Sequence, residues 1–306
     1  MSLRNLPHIS WGLALLIPIA GAACGSTGTE PAHSIAESGG TTSSSSPSAG
    51  GATSSASGGA ESGGASTESG GASTQGNFVL AWQDEFDQFD SSLWALQTFS
   101  WDGNLAQFSK ANANVADGKV TINLTAEPAD TSKPYRGVEM RSTKTVTYGK
   151  VEARIRFAKG SGVISGLVTI YTPWPADDWN EIDFEHLGNA PTKVQSSCQV
   201  YTGPAMQKPV TTSVTPTRFE QMIDLGFDAE ADFHVYSAEW TPTDVKFVVD
   251  GKVMRTWSQE IARMKLPQNI LFTIWASNSS GWAGPINETT APTSAEMDWI
   301  KVYDYK

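Results

Sequence analysis

Residues 179–188 read WNEIDFEHLG, with Glu181, Asp183 and Glu185 at every second position and Ile182 and Phe184 between them. A period of two marks a β-strand, because successive side chains point to opposite faces. The three acids therefore share one face, and the two apolar residues turn into a core. The same alternation runs through KVTINLT (119–125), KVEARIRFA (150–158), DVKFVVD (244–250) and MDWIKVYD (297–304). Asp117-Gly118 and Asp250-Gly251 separate strand-like runs with residues that tolerate positive φ, the chemistry of tight antiparallel hairpins. GLVTIYTPW lacks polar alternation and suits a strand covered on both faces. Helical periodicity is nearly absent, the best short candidate lying around 258–265. The expected fold is all-β: a jelly-roll sandwich of two antiparallel sheets, with a concave face left for a ligand.

Composition is uneven along the 306 residues. Residues 1–23 carry Arg4, the apolar run WGLALLIPIA and small residues before Cys24, which reads as an export signal too short for a stable membrane span. The arrangement resembles a bacterial lipoprotein signal, which implies lipidation of Cys24. Gly21 stands where that pattern usually has Leu, so cleavage near Ala22 or Ala23 is the alternative. Residues 24–76 are dominated by Ser, Gly, Ala and Thr, with ESGGAST at 61–67 repeated at 68–74, and read as a flexible tether. Residues 77–306 are long enough for one well-cored domain. Cys198 is the only other cysteine, so a lipidated Cys24 leaves no intrachain disulfide. A net charge of −11 disfavours nucleic acid and anionic membranes as partners. A neutral ligand, a monomer and membrane contact only through a lipid anchor are expected, so the protein would be an outer or cell-surface lipoprotein, or secreted.

Three acids on one face call for a chemical reason, since like charges two residues apart repel. Lys and Arg are absent from 171–192, which argues against an ordinary solvated face. Calcium sites draw on loop carbonyls that a regular strand has already committed. Glycoside hydrolysis with a carboxylate nucleophile needs two carboxyls roughly 5–5.5 Å apart. Four residues at about 3.3 Å separate the glutamate Cα atoms by roughly 13 Å, and side chains leaning inward bring the carboxyls to about 5–6 Å. Asp183, one methylene shorter, can hydrogen-bond a neighbouring Glu, and the crowding raises a pKa within the cluster.

NEIDFEHLG resembles the active-site strand of glycoside hydrolase family 16, the retaining jelly-roll β-glucanases. WQDEFD (82–87), GVEMRSTKTVTYGKVEARI (137–155), TKVQ (192–195), LGFDAEADFHVYSAEW (225–240), VVDGKV (248–253) and AEMDWIKVY (295–303) carry the likeness across nearly all of 77–306. The regular catalytic strand, TKVQ and LGFDA are most similar to the bacterial licheninases, which cleave β-1,3-1,4-glucans. The resemblance implies that Glu181 is the nucleophile, Asp183 its helper and Glu185 the acid/base, with no cofactor for catalysis. It also implies that Glu139 and Arg141 bind sugar hydroxyls beside the nucleophile, and that Asp298 with a carbonyl near Gly118 holds a structural calcium. AQFSKAN (106–112) and SSCQVYTGPAMQKP (196–209) depart from the family, leaving the linkage open between β-1,3-1,4 and β-1,3.

Of the 11 Trp, those in loop-like Gly-, Asn- or Asp-rich segments suit sugar platforms: Trp101, Trp179, Trp275 and Trp282, with Tyr201 as a further substrate contact. Trp82, Trp94, Trp240 and Trp299 sit in periodic stretches and read as core. His186 and His234 fall on strands and read as structural. The expected function is an exported endo-β-glucanase. One rival is a transglycosylase of the same fold, disfavoured because the chain stops just after IKVYDYK. The other is a non-catalytic carbohydrate-binding module, which would have no reason to keep three acids.

Overall fold

In the computed structural model the described residues are 77–172, 178–202 and 217–306, and the Cys24 segment and the tether lie outside them. The architecture is two sheets, antiparallel throughout except at one short strand. The first runs β11 (Thr217–Asp224), β10 (Lys193–Thr202), β9 (Asp178–Leu187), β8 (Val163–Tyr171), β15 (Gln268–Ala276) and β6 (Tyr135–Val146), with the short β2 (Trp94–Leu96) antiparallel and the short β3 (Ala106–Phe108) parallel to β6. The second runs β5 (Lys119–Ala126), β16 (Thr293–Tyr305), β7 (Gly149–Arg156), β12 (His234–Trp240), β13 (Val245–Val249) and β14 (Lys252–Trp257). Here β1 (Phe78–Asp84) pairs with β16, and β4 (Ala113–Ala116) with β5. Two residue pairs, Thr125 with Arg136 and Ala126 with Tyr135, join β5 to β6 and make the ladder continuous around one edge of the sandwich.

Both Asp-Gly pairs close hairpins, β4 to β5 and β13 to β14, with φ positive at Asp117, Gly118, Asp250 and Gly251. That geometry matches the right-handed twist of the flanking strands. The expected helix around 258–265 is only a 3-10 turn at Ile261–Arg263, and the one α-helix among the described residues is α1 (Ser280–Ala283). The eight residues 258–265 are too few to supply an amphipathic stripe that nucleates a helix against the sheet. No helix among the described residues is long and apolar enough to cross a membrane.

The core lies between the sheets. Ile182 and Phe184 of β9 enter it, where Phe184 meets Tyr236 and Phe247 of the opposite sheet edge-on at 5.7 and 5.1 Å. Each such side chain contributes about 1.5–3 kcal/mol on burial, which anchors β9 with its acids facing away. Cys198 is buried on the same inner face and unpaired. β8 is buried on both faces, as its unbroken apolar run implies: Val168 and Ile170 form a second cluster with Leu271 and Trp179 on the side of the acids.

Trp94 and Trp240 are core residues. Trp82 is partly buried and packs against the core, edge-on to Trp94 at 5.8 Å, with Lys144 over its ring, whereas Trp299 lies outside the core with the Lys301 ammonium 4.6 Å over its ring, a correction to the expectation. An indole on an outward sheet face can be covered by a cation as well as by a core. His186 is buried, stacked on Phe157, with its ring nitrogens at Lys193 O and Glu230 Oε1. His234 meets Asp250 and stacks on Phe227, so both histidines are held structurally.

Candidate active site

Trp179, Glu181, Asp183 and Glu185 occupy alternate positions of β9, and the ladder register fixes what stands beside each. Glu181 lies between Ile170 of β8 and Gln199 of β10, Asp183 between Val168 and Ser197, and Glu185 between Gly166 and Gln195. One strand farther out, Gln199 pairs with Arg218 and Ser197 with Glu220 on β11. In the other direction Gly166 pairs with Thr273 and Thr273 with Glu139; Val168 pairs with Leu271 and Leu271 with Arg141. Six strands thus bring five carboxyls and two guanidiniums onto one face.

Asp183 is 1% exposed, while Glu181 and Glu185 keep part of their surface open. Gln199 Nε2 donates to Asp183 Oδ2 at 3.1 Å, and Asp183 Oδ1 is buried with no N–H donor. Glu181 is the neighbouring carboxyl on the same face, and the interaction of the two lowers the Glu181 pKa and raises that of Asp183. Burial and the Glu185 charge raise the Glu181 pKa to about 8, against the interaction with Asp183 and the Arg218 charge. Burial and the Glu181 charge push Asp183 well above the ordinary range, and burial with the charges of Asp183 and Glu220 does the same for Glu185. A face of this kind holds protons near neutral pH, as a general acid requires, and Glu181 is the group whose ionised form the neighbouring Asp183 favours.

Arg141 donates through Nε and Nη2 to Glu139 Oε1, at 2.8 and 2.5 Å, and burial raises the Glu139 pKa against that pairing. At the Glu185 end, Trp282 Nε1 donates to Gln195 Oε1 at 2.8 Å. Its ring lies 6.0 Å from Trp275, which in turn meets Trp101 edge-on at 5.1 Å.

The family model for Glycosyl hydrolases family 16 matches residues 97–301. The chain belongs to glycosyl hydrolase family 16. It is 31% identical over 234 residues to the Beta-glucanase of Bacillus subtilis, spanning 74% of this chain and 86% of that one. A prokaryotic β-1,3-1,4-glucanase (lichenase) from a mouse hindgut metagenome superposes with a TM-score of 0.62 at 29% identity, over 74% of this chain and 99% of that chain. The catalytic domain of an endo-1,3-β-glucanase (laminarinase) from Thermotoga petrophila superposes with a TM-score of 0.62 at 25% identity, over 76% and 99%. The chain is accordingly a glycoside hydrolase with the family 16 jelly-roll fold, and its chemistry needs no cofactor.

Within this family 16 site, the structure brings Glu181, Asp183, Glu185, Glu139, Arg141 and Trp179 onto one face. Glu139 stands in the row of Glu185, three strands away, although its charge also acts on Glu181. Trp101 is not an open platform: its ring is buried against Phe108 and backs Trp275. The Gly and Asn residues around it form a turn that folds the ring inward, with Lys133 Nζ donating to the carbonyls of Trp101 and Asn104. Trp275 is on the acid side but covered by its two indole neighbours, and Trp282 is the more open of the three. The backbone of Tyr201 pairs with Trp179, and its side chain lies outside the described residues.

The calcium expected at Asp298 and Gly118 has its one carboxylate already engaged in this structure. Asp298 sits at the register shift of β16 between Met297 and Trp299, and its carboxylate is taken by the Arg154 guanidinium. Among the described residues no group of three His, Cys, Asp or Glu is arranged to hold a metal. Gln195, Ser197, Gln199, Arg218 and Glu220 escaped the sequence reading. Their signal was present in the alternating polar positions of KVQSSCQVYT and TRFEQMID, but nothing local says which strand borders the acids.

Proposed function

We propose that the protein is an endo-β-glucanase that cleaves β-1,3-1,4- or β-1,3-glucan with retention of configuration. The observation that carries this reading is the acid face of β9, where Glu181 and Glu185 flank a protonated, deeply buried Asp183. In the first step Glu181 attacks the anomeric carbon as Glu185 gives its proton to the departing glycosidic oxygen, leaving a glycosyl ester on Glu181. In the second step Glu185, now ionised, takes a proton from water, whose oxygen displaces Glu181 and restores both groups. Trp179, expected as an open platform, is buried with Val168, Ile170 and Leu271 and backs the acid face from beneath. The likeness to both a lichenase and a laminarinase supports both linkages.

The first product from barley mixed-linkage glucan, followed by proton NMR, should be the β-anomer; an α-anomer appearing first would end the double-displacement reading. Mixed-linkage glucan should be cut faster than laminarin, and the reverse order would move the protein to the β-1,3 side. The export-like segment ending at Cys24 supports a lipid-anchored, surface-exposed enzyme. Cys24→Ser should release the activity from the membrane fraction into the medium, and wild type found wholly in the medium would refute the anchor.

A further inference from the structure

We propose that Gln199 is a positioning residue that pins Asp183 through Oδ2 and thereby keeps the Asp183 proton on Oδ1, facing Glu181. The inference rests on the nucleophile role proposed for Glu181. An amide N–H can only donate, so the carboxyl oxygen it meets serves as acceptor. Gln199 Nε2 meets Oδ2 at 3.1 Å, which leaves Oδ1 as the oxygen to carry the proton. Oδ1 is buried with no hydrogen-bond partner among the described residues, and Glu181, two positions along β9 on the same face, is the carboxyl that raises Asp183 most after burial. The register makes the triangle: Gln199 is the direct cross-strand partner of Glu181, and Ser197 that of Asp183, so the Gln199 side chain reaches one step diagonally to the aspartate.

The consequence is directional. A proton fixed on Oδ1 stabilises the Glu181 carboxylate, both before it attacks and when it departs from the glycosyl ester. Without Gln199 the Asp183 carboxyl can rotate or place the proton on Oδ2, and Glu181 loses that donor. The other charged groups on this face are Glu139 and Arg141 on β6, Glu185 on β9, and Arg218 and Glu220 on β11, with Lys193 and Asp224 at the far ends of β10 and β11. β8 and β15 present none, and Arg255 reaches the backbone of Ser196 from the core side. Each of these would remain in place in a Gln199 variant, so a change in the titration of Glu181 would report the Gln199–Asp183 contact.

The test compares wild type with Gln199→Leu and Gln199→Glu, on barley glucan across pH. Losing the donor should lower kcat about tenfold, the equivalent of one well-placed hydrogen bond, with KM within about twofold. The acid limb of kcat/KM should move to higher pH, because Glu181 becomes easier to protonate, and Gln199→Glu should move it farther by adding a negative charge. A rise in KM with unchanged kcat would make Gln199 a sugar contact and overturn the proposal. A fall in kcat with an unmoved acid limb would make it merely structural and overturn it equally. If Gln199→Leu fails to fold, the nearly isosteric Gln199→Glu decides alone. Infrared spectroscopy of the free enzyme supplies a readout independent of glucan cleavage. Wild type should show a protonated-carboxyl stretch near neutral pH that Asp183→Asn removes and both Gln199 variants shift. An unshifted band would refute the contact even for an enzyme inactive on every glucan, whereas inactivity alone would count only against the proposed function.

Discussion

β7 and β9 alternate with the same period and carry ionisable residues on their outward faces, yet the two faces are in opposite electrostatic states. On β7, Lys150 pairs with Glu152, Arg154 with Asp298 and Arg156 with Glu296, and Glu296 also meets Lys119. On β9, Glu181, Asp183 and Glu185 stand together, and the cation that acts on the two glutamates, Arg218, comes from two strands away. The β7 face neutralises its charges pairwise, and the half-open Arg154–Asp298 pair contributes about 0–1 kcal/mol. The β9 face leaves them to compete for protons under burial. The difference separates a sheet surface that only has to be soluble from one that stores acid and base for chemistry.

The largest expected effect comes from removing the competing carboxyls. Glu185→Ala should lower reducing-end release from barley glucan about 10²–10⁴-fold, the range for a lost general acid/base, and Glu181→Ala should cost more because no ester can form. A variant of either residue retaining wild-type turnover would dissolve the contrast between the strands.

Stability gives the next test. The Glu181 pKa is raised from 4.5 to about 8 in the folded chain, so its protonated form favours folding. That stabilisation is complete below the ordinary carboxylate pKa and is lost as pH rises towards 8. The melting temperature of wild type should therefore fall between pH 4.5 and 8, and Glu181→Gln should flatten the curve. A relief of about 2 kcal/mol at pH 8 corresponds to about 4–8 °C for a domain of this size. Parallel curves would mean that the acids are no more strained than those of β7.

Arg218→Ala sharpens the comparison from the other side. Since the guanidinium lowers both Glu181 and Glu185, its loss should move both limbs of the pH–rate profile upward, by about half a unit to one unit, with the maximal rate within about threefold. A shift downward would show that Arg218 does not act on the acids. The smallest effect belongs to β7: Arg154→Ala should change stability by less than about 1 kcal/mol and leave glucan cleavage unaltered. A loss of activity there would mean that the two faces are linked through the core.

Most of the strand framework could be read locally. KVTINLT, KVEARIRFA and the two Asp-Gly turns announce strands and hairpins, because alternation and positive φ are properties of neighbouring residues. The acid trio was legible for the same reason, since residues i, i+2 and i+4 of a strand share a face wherever the strand is placed. Gln199 and Arg218 were not, although each is an ordinary polar residue in an alternating stretch. Their meaning depends on β10 and β11 lying next to β9 in one particular register.

Sequence by itself determined that Glu181, Asp183 and Glu185 point one way while Ile182 and Phe184 point the other, because that choice is made within five residues of one strand. Tertiary structure alone decided which partner each group received. It gave Asp298 to Arg154, across 144 positions of sequence. It folded Trp101 and Trp275 behind Trp282 and set Gln199 against Asp183. The physical reason is that a period of two fixes the face of a side chain, whereas its neighbours across the sheet are fixed by strand order and register, which depend on how the whole core packs.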